Sequence, residues 1–318
     1  MKQEDSTIFQ NKKIKSNNHG LQFEKSDLVE YLEKCPICGS TDRSRIVTSR
    51  LKTIRYLRCN NCQVVSTSHY VNDDLLKKIY SSYYSTNKSH KGEVTHDNPG
   101  LLAKHISSYL SFADTKVCIL DYGGGSGLIS YQIALSLVKK GNVKTVDILV
   151  VDFNEEKSVV CDDSRISIQR MSPVIFLNEH KKEFDLIVAS AVFEHIFFPG
   201  SLIVELFNRI KVNGFIYIRV PYMIPLYKFL LKFGIEIENY FPEHFHDFSK
   251  KSLENLPGTF HLKNLEIVVS QPSFFEYSFS KHFLLALCSR IIRAPYKLNK
   301  NYPFVGGWEI IYGCSKKL

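Results

Sequence analysis

The chain has 318 residues, of which 44% are hydrophobic and 23% charged, and a formal net charge of +9. That length accommodates a core of roughly 200 residues beside a smaller module, and that composition excludes a disordered or fibrous chain. The positive charge is spread over the first residues, 137–144, 180–182 and the C-terminus, so it reads as a solvated basic surface suited to an anionic small substrate, with an RNA footprint as the alternative.

Residues 1–25 are polar, rich in Lys and Asn and without apolar periodicity, the pattern of a disordered tail. No apolar stretch follows the early lysines, as a secretory signal would need. No later segment reaches the ~18 uninterrupted apolar residues of a membrane-spanning helix. The expected location is the cytoplasm, where the eight cysteines would be thiols or metal ligands rather than disulfides.

Cys35 and Cys38 form one C-x2-C pair and Cys59 and Cys62 a second, separated by residues 39–58. Two cysteines in a tight turn can place both thiolates on one tetrahedral ion, and a second turn completes four sulfur ligands. The spacing predicts a zinc site, closed to water and therefore structural, that replaces the core so short a module cannot build. Four unrelated thiols are the alternative. Residues 45–47 and 53–57 read as strands between the knuckles. Cys118, Cys161, Cys288 and Cys314 sit singly in apolar segments and are expected to be buried small hydrophobes.

Residues 117–120 are a short apolar run leading into Asp121, Tyr122, Gly123, Gly124, Gly125, Ser126 and Gly127, after which 128–139 carries helical apolar spacing. Strand, glycine turn and helix in that order bring backbone N–H groups and the positive end of a helix dipole to one place. Leu128 follows the last glycine, so the dinucleotide pattern G-x-G-x-x-G is not matched. A second buried strand ends in Asp152, with Phe153 after it, and a third covers 166–169. A fourth ends in Ser190, and a fifth spans 215–220 after an amphipathic helix at 202–209 and a turn at Asn213 and Gly214. Residues 265–269 and 308–313 complete the set as sixth and seventh strands.

On these residues the chain resembles the class I S-adenosylmethionine (SAM)-dependent methyltransferases, whose first motif reads D-x-G-x-G-x-G. The resemblance spans residues 100–318 and implies an α/β fold with a doubly wound, seven-stranded Rossmann-like sheet, its last strand antiparallel. It implies SAM as methyl donor, held by Asp121, Gly123, Gly125, Gly127, Phe153 and Ser190, with Asp152 accepting hydrogen bonds from the ribose hydroxyls. A carboxylate at the C-terminal edge of a strand suits that role, since it can take both protons of a cis-diol. Arg170, Met171 and Ser172 stand where the family commonly has an acidic or small polar adenine contact, a departure that leaves that contact unassigned. With the knuckles, the chain further resembles a bacterial subgroup bearing an N-terminal zinc module, which implies surface-polysaccharide, deoxysugar or secondary-metabolite chemistry. Gln63 stands where the second knuckle often has Gly. The expected organisation is a tail over 1–25, a zinc-ribbon-like module with a connecting helix over 26–95, and the methyltransferase domain with lid insertions over 96–318.

Methyl transfer from a sulfonium is an in-line displacement, so the protein orients two reactants and, for a hydroxyl acceptor, removes a proton. His195 beside Glu194, and His244 and His246 between Glu243 and Asp247, are the candidate bases. Each has a structural alternative, as support for the loop after the fourth strand or as a turn before a helix near Ser249. Ubiquinone-type O-methyltransferases carry Glu-x-x-Glu-His where this chain has Ala191 to His195, so Glu194 and His195 are also candidate metal ligands, with one glutamate of that set missing. The apolar stretches 224–235 and 283–292 are expected either to pack in the core or to cover the acceptor site, with Tyr222 and Tyr227 as aromatic walls. A helix lying on a membrane surface is the alternative for the second stretch. The expected function is methylation of a small, carbohydrate-derived acceptor, at oxygen first and at carbon as the alternative. A base methyltransferase of rRNA or tRNA whose knuckle grips RNA, and a SAM-binding scaffold without turnover, are the rivals.

Overall fold

The computed structural model describes residues 14–15, 22–48, 54–86, 99–153, 159–234, 241–273, 283–300, 302 and 306–315. Most of the expected tail, and residue 235 of the first apolar stretch, lie outside the described residues.

The N-terminal part is built of short strands. β1 (Ile14–Lys15) pairs with β2 (Gln22–Phe23), and β3 (Leu28–Glu30) follows a 3-10 turn at Lys25–Asp27. β4 (Arg43–Thr48), β5 (Arg55–Cys59) and β6 (Val65–Thr67) form an antiparallel meander, and β7 (His69–Val71) returns to pair with β3. Each C-x2-C turn closes on a residue in left-handed backbone, Gly39 at φ 74° and Gln63 at φ 65°. Gln63 holds that conformation, which favours glycine, with its side-chain amide donating to the Asn60 carbonyl at 2.6 Å. Helix α1 (Asp73–Thr86) ends this part.

The rest of the chain alternates strands and helices. In order they are α2 (Pro99–Ser107), β8 (Lys116–Tyr122), α3 (Leu128–Lys139), β9 (Thr145–Val151), β10 (Ile166–Met171), α4 (Pro173–Glu179), β11 (Phe184–Ser190), α5 (Gly200–Asn208) and β12 (Ile210–Tyr222). They continue with α6 (Ile224–Leu231), β13 (His246–Asp247), α7 (Lys250–Glu254), α8 (Leu256–Thr259), β14 (Leu265–Pro272), α9 (Phe283–Leu298) and β15 (Gly306–Cys314). Seven strands form one sheet in the order β10-β9-β8-β11-β12-β15-β14, with β15 antiparallel to both of its neighbours and the other pairs parallel. This is the doubly wound, seven-stranded Rossmann-like sheet expected from the sequence.

Its strands are near-continuous apolar runs because helices cover both faces. Val117 and Ile119 of β8 pack with α2 and α3, whereas the alternate residues Cys118 and Leu120 pack with α4, α5, α7 and α8. β12 is longer than the sequence suggests, because Asn213 and Gly214 form a bulge inside the strand rather than a turn before it. The register slips from Phe184 opposite Ile210 to Leu186 opposite Phe215, and Asn213 has φ 64°. A side chain at Gly214 would stand 2.9 Å from the Lys211 carbonyl oxygen and 3.0 Å from that of Asp185, so the bulge closes only around glycine. Of the four single cysteines only Cys118 is buried, whereas Cys161 and Cys288 are exposed and Cys314 is half-buried, which corrects the expectation for those three. Among the described residues, no helix is long and apolar enough to cross a membrane.

The N-terminal part shares both a sheet and a core with the domain. β13 pairs antiparallel with β6, setting His246 opposite Ser66 and Asp247 opposite Val65, so the small sheet runs β13-β6-β5-β4. Cys35, Ile37, Cys59, Cys62 and Val64 belong to the same buried cluster as Leu202 and Leu206 of α5 and Phe248 and Leu253 around α7.

Candidate functional site

The order of the large sheet reverses at β8 and β11, since later strands run outward from one to either edge, and a crevice opens beyond their C-terminal ends. The glycine turn fills the β8 side of it. Gly123 donates its amide to the Val151 carbonyl at 2.7 Å, and Gly125 donates to Asp152 Oδ2 at 2.8 Å, so the turn is tied to the end of β9 at two points. Gly123, Gly125 and Gly127 have φ of 70°, 56° and 83°.

Asp121, the last residue but one of β8, is 3% exposed. Burial pushes its carboxyl up to about 6, opposed by Ser130 and Arg170 and reinforced by Asp152. Its Oδ2 is buried with no hydrogen-bond partner among the described residues. An unsatisfied carboxylate oxygen beside a turn of left-handed glycines and a second carboxylate, Asp152, is a donor set that fits a cationic nucleoside such as SAM. Phe153, 69% exposed, follows Asp152 at the rim. Ser190 lies two residues beyond the β11 partner of Asp121, and its hydroxyl accepts from Arg219 Nε at 2.9 Å. Ser172, in the segment that departs from the family pattern, caps α4 by accepting from the Ile175 amide.

The loop after β11 carries the other half of the site. Val192 Cγ2 stands 2.6 Å from the place a Gly123 side chain would occupy, so this loop abuts the glycine turn. Glu194 is 1% exposed, and burial pushes its carboxyl up to about 8, against the pull of Arg219 and with a further push from Asp247. Its Oε2 has no hydrogen-bond partner among the described residues. The Glu194 carbonyl accepts from the Phe245 amide at 2.7 Å, which pins residues 194–195 to the segment 243–247.

There the rings of His195 and His244 meet edge to face, with centroids 4.6 Å apart. His195 Nδ1 lies 2.9 Å from the Glu243 carbonyl, and because a carbonyl only accepts, that nitrogen carries the proton and Nε2 the lone pair. Burial lowers the pKa of both imidazoles, that of His244 well below the usual range, so both are neutral bases at pH 7. One ligand atom from each of Glu194, His195 and His244 lies within 4.8 Å of the others.

His246 does not join them. Its Nε2 donates to the Ile196 and Phe197 carbonyls at 2.9 and 3.0 Å, and its Nδ1 accepts from the Ser66 hydroxyl at 3.0 Å. With both nitrogens committed inside the protein, it is a strut between β6 and the loop after β11, and the expectation of a catalytic base there is corrected. His246→Ala is expected to lower stability by about 2–4 kcal/mol by stranding these buried groups, with little change in cofactor affinity; urea unfolding and calorimetric titration with SAM would check both.

Asp247 Oδ2 accepts from the Met223 and Ile224 amides at 2.9 and 2.7 Å and so caps the start of α6. A cleft opens between Tyr56, Val65, Pro221, Met223, His244, Phe245, His246 and Asp247. Tyr56 and Val65 belong to β5 and β6, so the N-terminal part supplies a wall of this cleft. Sequence reasoning missed Tyr56, which lines the cleft, and Arg58, which acts electrostatically on Asp247 and Tyr222; their spacing of two along β5 is the only signal they carry. Ile224 and Tyr227 of α6 are buried against Val47, Ile54, Tyr56 and Val65, so the first apolar stretch packs on the N-terminal strands. In the second apolar stretch, Phe283, Leu284, Leu287 and Ile291 of α9 are exposed.

The four knuckle cysteines converge. Sγ of Cys35 and Cys62 are 3.7 Å apart and those of Cys38 and Cys59 3.6 Å apart, and one sulfur from each residue lies within 4.8 Å of the others. A disulfide needs about 2.05 Å. A tetrahedron of metal–sulfur bonds of about 2.3 Å has edges of about 3.8 Å, so the sulfur set fits zinc. Arg43 stands close enough to Cys35, Cys59 and Cys62 to offset thiolate charge.

Residues 94–267 match the family described as Methyltransferase domain. The ubiquinone biosynthesis O-methyltransferases of Rickettsia prowazekii and Rickettsia typhi are 29% and 30% identical to this chain over 140 and 141 residues. Those alignments cover 43% of this chain in each case and 53% and 54% of the relatives, so the chain spans about half the length of the curated relatives it matches. Among solved structures, the plantazolicin methyltransferase BpumL in complex with SAH aligns over 77% of this chain and 92% of its own, at 19% identity and a TM-score of 0.45. The family match takes in the glycine turn, Asp152, Glu194, His195 and His244 and covers more than half of the residues, so the chain belongs to the methyltransferase domain family.

Proposed function

We propose that this chain transfers a methyl group from SAM to an oxygen of a small, anionic, carbohydrate-derived acceptor in the cytoplasm, and that zinc bound by Cys35, Cys38, Cys59 and Cys62 fixes a wall of the acceptor cleft. The observation that carries this reading is the adjacency of the two half-sites, since Val192, in the loop that bears Glu194 and His195, abuts Gly123 of the glycine turn. When bound, SAM supplies an electrophilic methyl group on a positively charged sulfur. Asp121 and the turn amides hold the donor, and Asp152 takes the ribose hydroxyls in exchange for its bond to Gly125. The neutral pair His195 and His244 removes the acceptor proton, and burial of the cluster keeps water from competing.

The curated relatives are named as O-methyltransferases, which supports oxygen as the receiving atom. Arg58 acts electrostatically on both Asp247 and Tyr222, which places a cation near the cleft and supports an anionic acceptor. The carbohydrate class rests on the resemblance to methyltransferases with an N-terminal zinc module.

Following methyl label from SAM into nucleotide-sugar-rich small molecules and into total RNA, for wild type and Asp152→Ala side by side, tests the reading. Label in the small-molecule pool is expected, with the mutant binding SAM about tenfold to a hundredfold more weakly through loss of charged hydrogen bonds. Label in RNA would overturn the acceptor, and binding without transfer to either pool would make the chain a scaffold. SAM affinity is also expected to rise with pH through about 6 and then level off, because only ionised Asp121 attracts the sulfonium. Asp121→Asn should flatten that profile in calorimetric titrations.

A further inference from the structure

We infer that α9 docks this chain on an anionic membrane surface, lying in the plane of the lipid headgroups. The helix spans 16 residues in the connection between β14 and β15, a length of about 24 Å. At about 100° per residue, Phe283, Ala294, Leu287, Leu298, Ile291 and Leu284 follow one another around a single arc of about 100°. All of them are exposed, Leu284 by 72%, Ile291 by 61% and Leu298 by 93%.

The opposite side of the helix holds it to the body. Tyr296, about 170° from the middle of that arc, is buried. Its ring meets Trp308 of β15 edge to face with centroids 5.6 Å apart, and its hydroxyl donates to the Ser270 carbonyl of β14 at 3.3 Å. The exposed apolar arc therefore lies on the side away from the sheet, where a helix packed only within its own domain carries polar residues.

Charge selects the occupant. Arg290 and Lys297 border the arc on one side, within about 40° of Phe283, with Arg293 next around the helix and Lys300 just past its end. Between Glu276 and Glu309 the sequence has no acidic residue. An anionic bilayer meets both features at once, since its phosphates take the cations while the arc sinks about 5–10 Å to the acyl boundary and the long Arg and Lys stems reach back to the headgroups. A second copy of the chain fits worse, because facing arcs would bring the same basic rims together on molecules that each carry +9. Among the described residues no helix can cross a bilayer, so the contact is with its surface. It stands without the methyl-transfer reading.

The test sediments the full chain with vesicles of phosphatidylcholine alone or with about a quarter of phosphatidylglycerol. Binding to the anionic vesicles is expected, about tenfold or more tighter than to the neutral ones, and weaker by about tenfold or more when salt rises from about 0.1 to 1 M. Leu287→Glu with Ile291→Glu should weaken it by about tenfold or more, and Lys297→Glu by about fivefold, with thermal melting unchanged because these side chains are exposed. Should the double variant fail to fold, Lys297→Glu carries the test. No binding in wild type, or equal binding to both kinds of vesicle, would overturn the contact. Unchanged binding in the double variant, with loss in Phe229→Glu and Phe233→Glu instead, would move it to the end of α6, where those exposed rings lie 5.1 Å apart beside Lys228 and Lys232. Light scattering without vesicles completes the test, since a dimer abolished by the double variant would assign the arc to a second copy and overturn the membrane.

Discussion

Stripping the proposed zinc from the four-cysteine cluster is expected to unfold the chain well beyond its first 90 residues, in one transition. Cys35, Ile37, Cys59, Cys62 and Val64 share a buried cluster with α5 and α7, and the Ile37 carbonyl oxygen lies 2.4 Å from where Gly200 would carry a side chain. Freed thiolates would therefore repel one another inside the main core, not in a detached knob. Structural zinc contributes about 10–16 kcal/mol of apparent binding energy in small zinc modules, as much as the whole net stability of a typical domain. A strong chelator, or Cys59→Ser, should abolish the thermal transition seen by circular dichroism and with it SAM binding. Melting of the N-terminal part alone, with SAM binding intact, would show two independent bodies, and a metal-free, fully folded preparation would remove the zinc.

Gly124→Ala should weaken SAM binding by about a hundredfold or more, roughly 3 kcal/mol. A Cβ there would stand 2.3 Å from Asp121 Cγ and 2.5 and 2.7 Å from its two oxygens. The turn cannot step aside, because Gly123 is bonded to Val151, Gly125 to Asp152 and the Gly127 amide to the Gly124 carbonyl at 2.8 Å. Asp121 must then leave its position, and the charge proposed to face the sulfonium leaves with it. Gly141→Ala is the control. Its φ is 90° and nothing lies within 4 Å of the added carbon, so it should cost about 1–3 kcal/mol in stability from backbone strain and leave SAM affinity unchanged. Parallel titrations and thermal melts of the two variants separate a damaged cradle from a merely strained loop.

The large sheet was legible because its signals are local. Apolar runs ending in Asp121, Asp152 and Ser190, each followed by turn or helix spacing, fix strand identity within a few residues, and doubly wound topology follows from their alternation. The cysteine spacing is equally local. What escaped depends on contacts distant in sequence. β13 has two residues and no periodicity, so nothing near His246 announces Ser66 as a partner, and a histidine with both nitrogens spent reads like one with both available. Tyr56 gains a place at the cleft only because β6 brings the meander alongside β13. The apolar pattern of 283–292 announces a helix correctly but not that Phe283, Leu284, Leu287 and Ile291 face outward, because periodicity says nothing of what stands opposite.

The pairing of β6 with β13 also sets the timing of assembly. Ser66 and His246 are 180 residues apart, and a chain growing at ~5–20 residues per second needs roughly 10–35 s between making one and the other. Through that interval one strand edge, Val65–Thr67, stays unpaired and available to any other extended chain. Closing a contact of such span is slow and comes late, so the nascent chain passes through a state in which the small sheet is formed, open-edged and without the wall it will later share with the crevice.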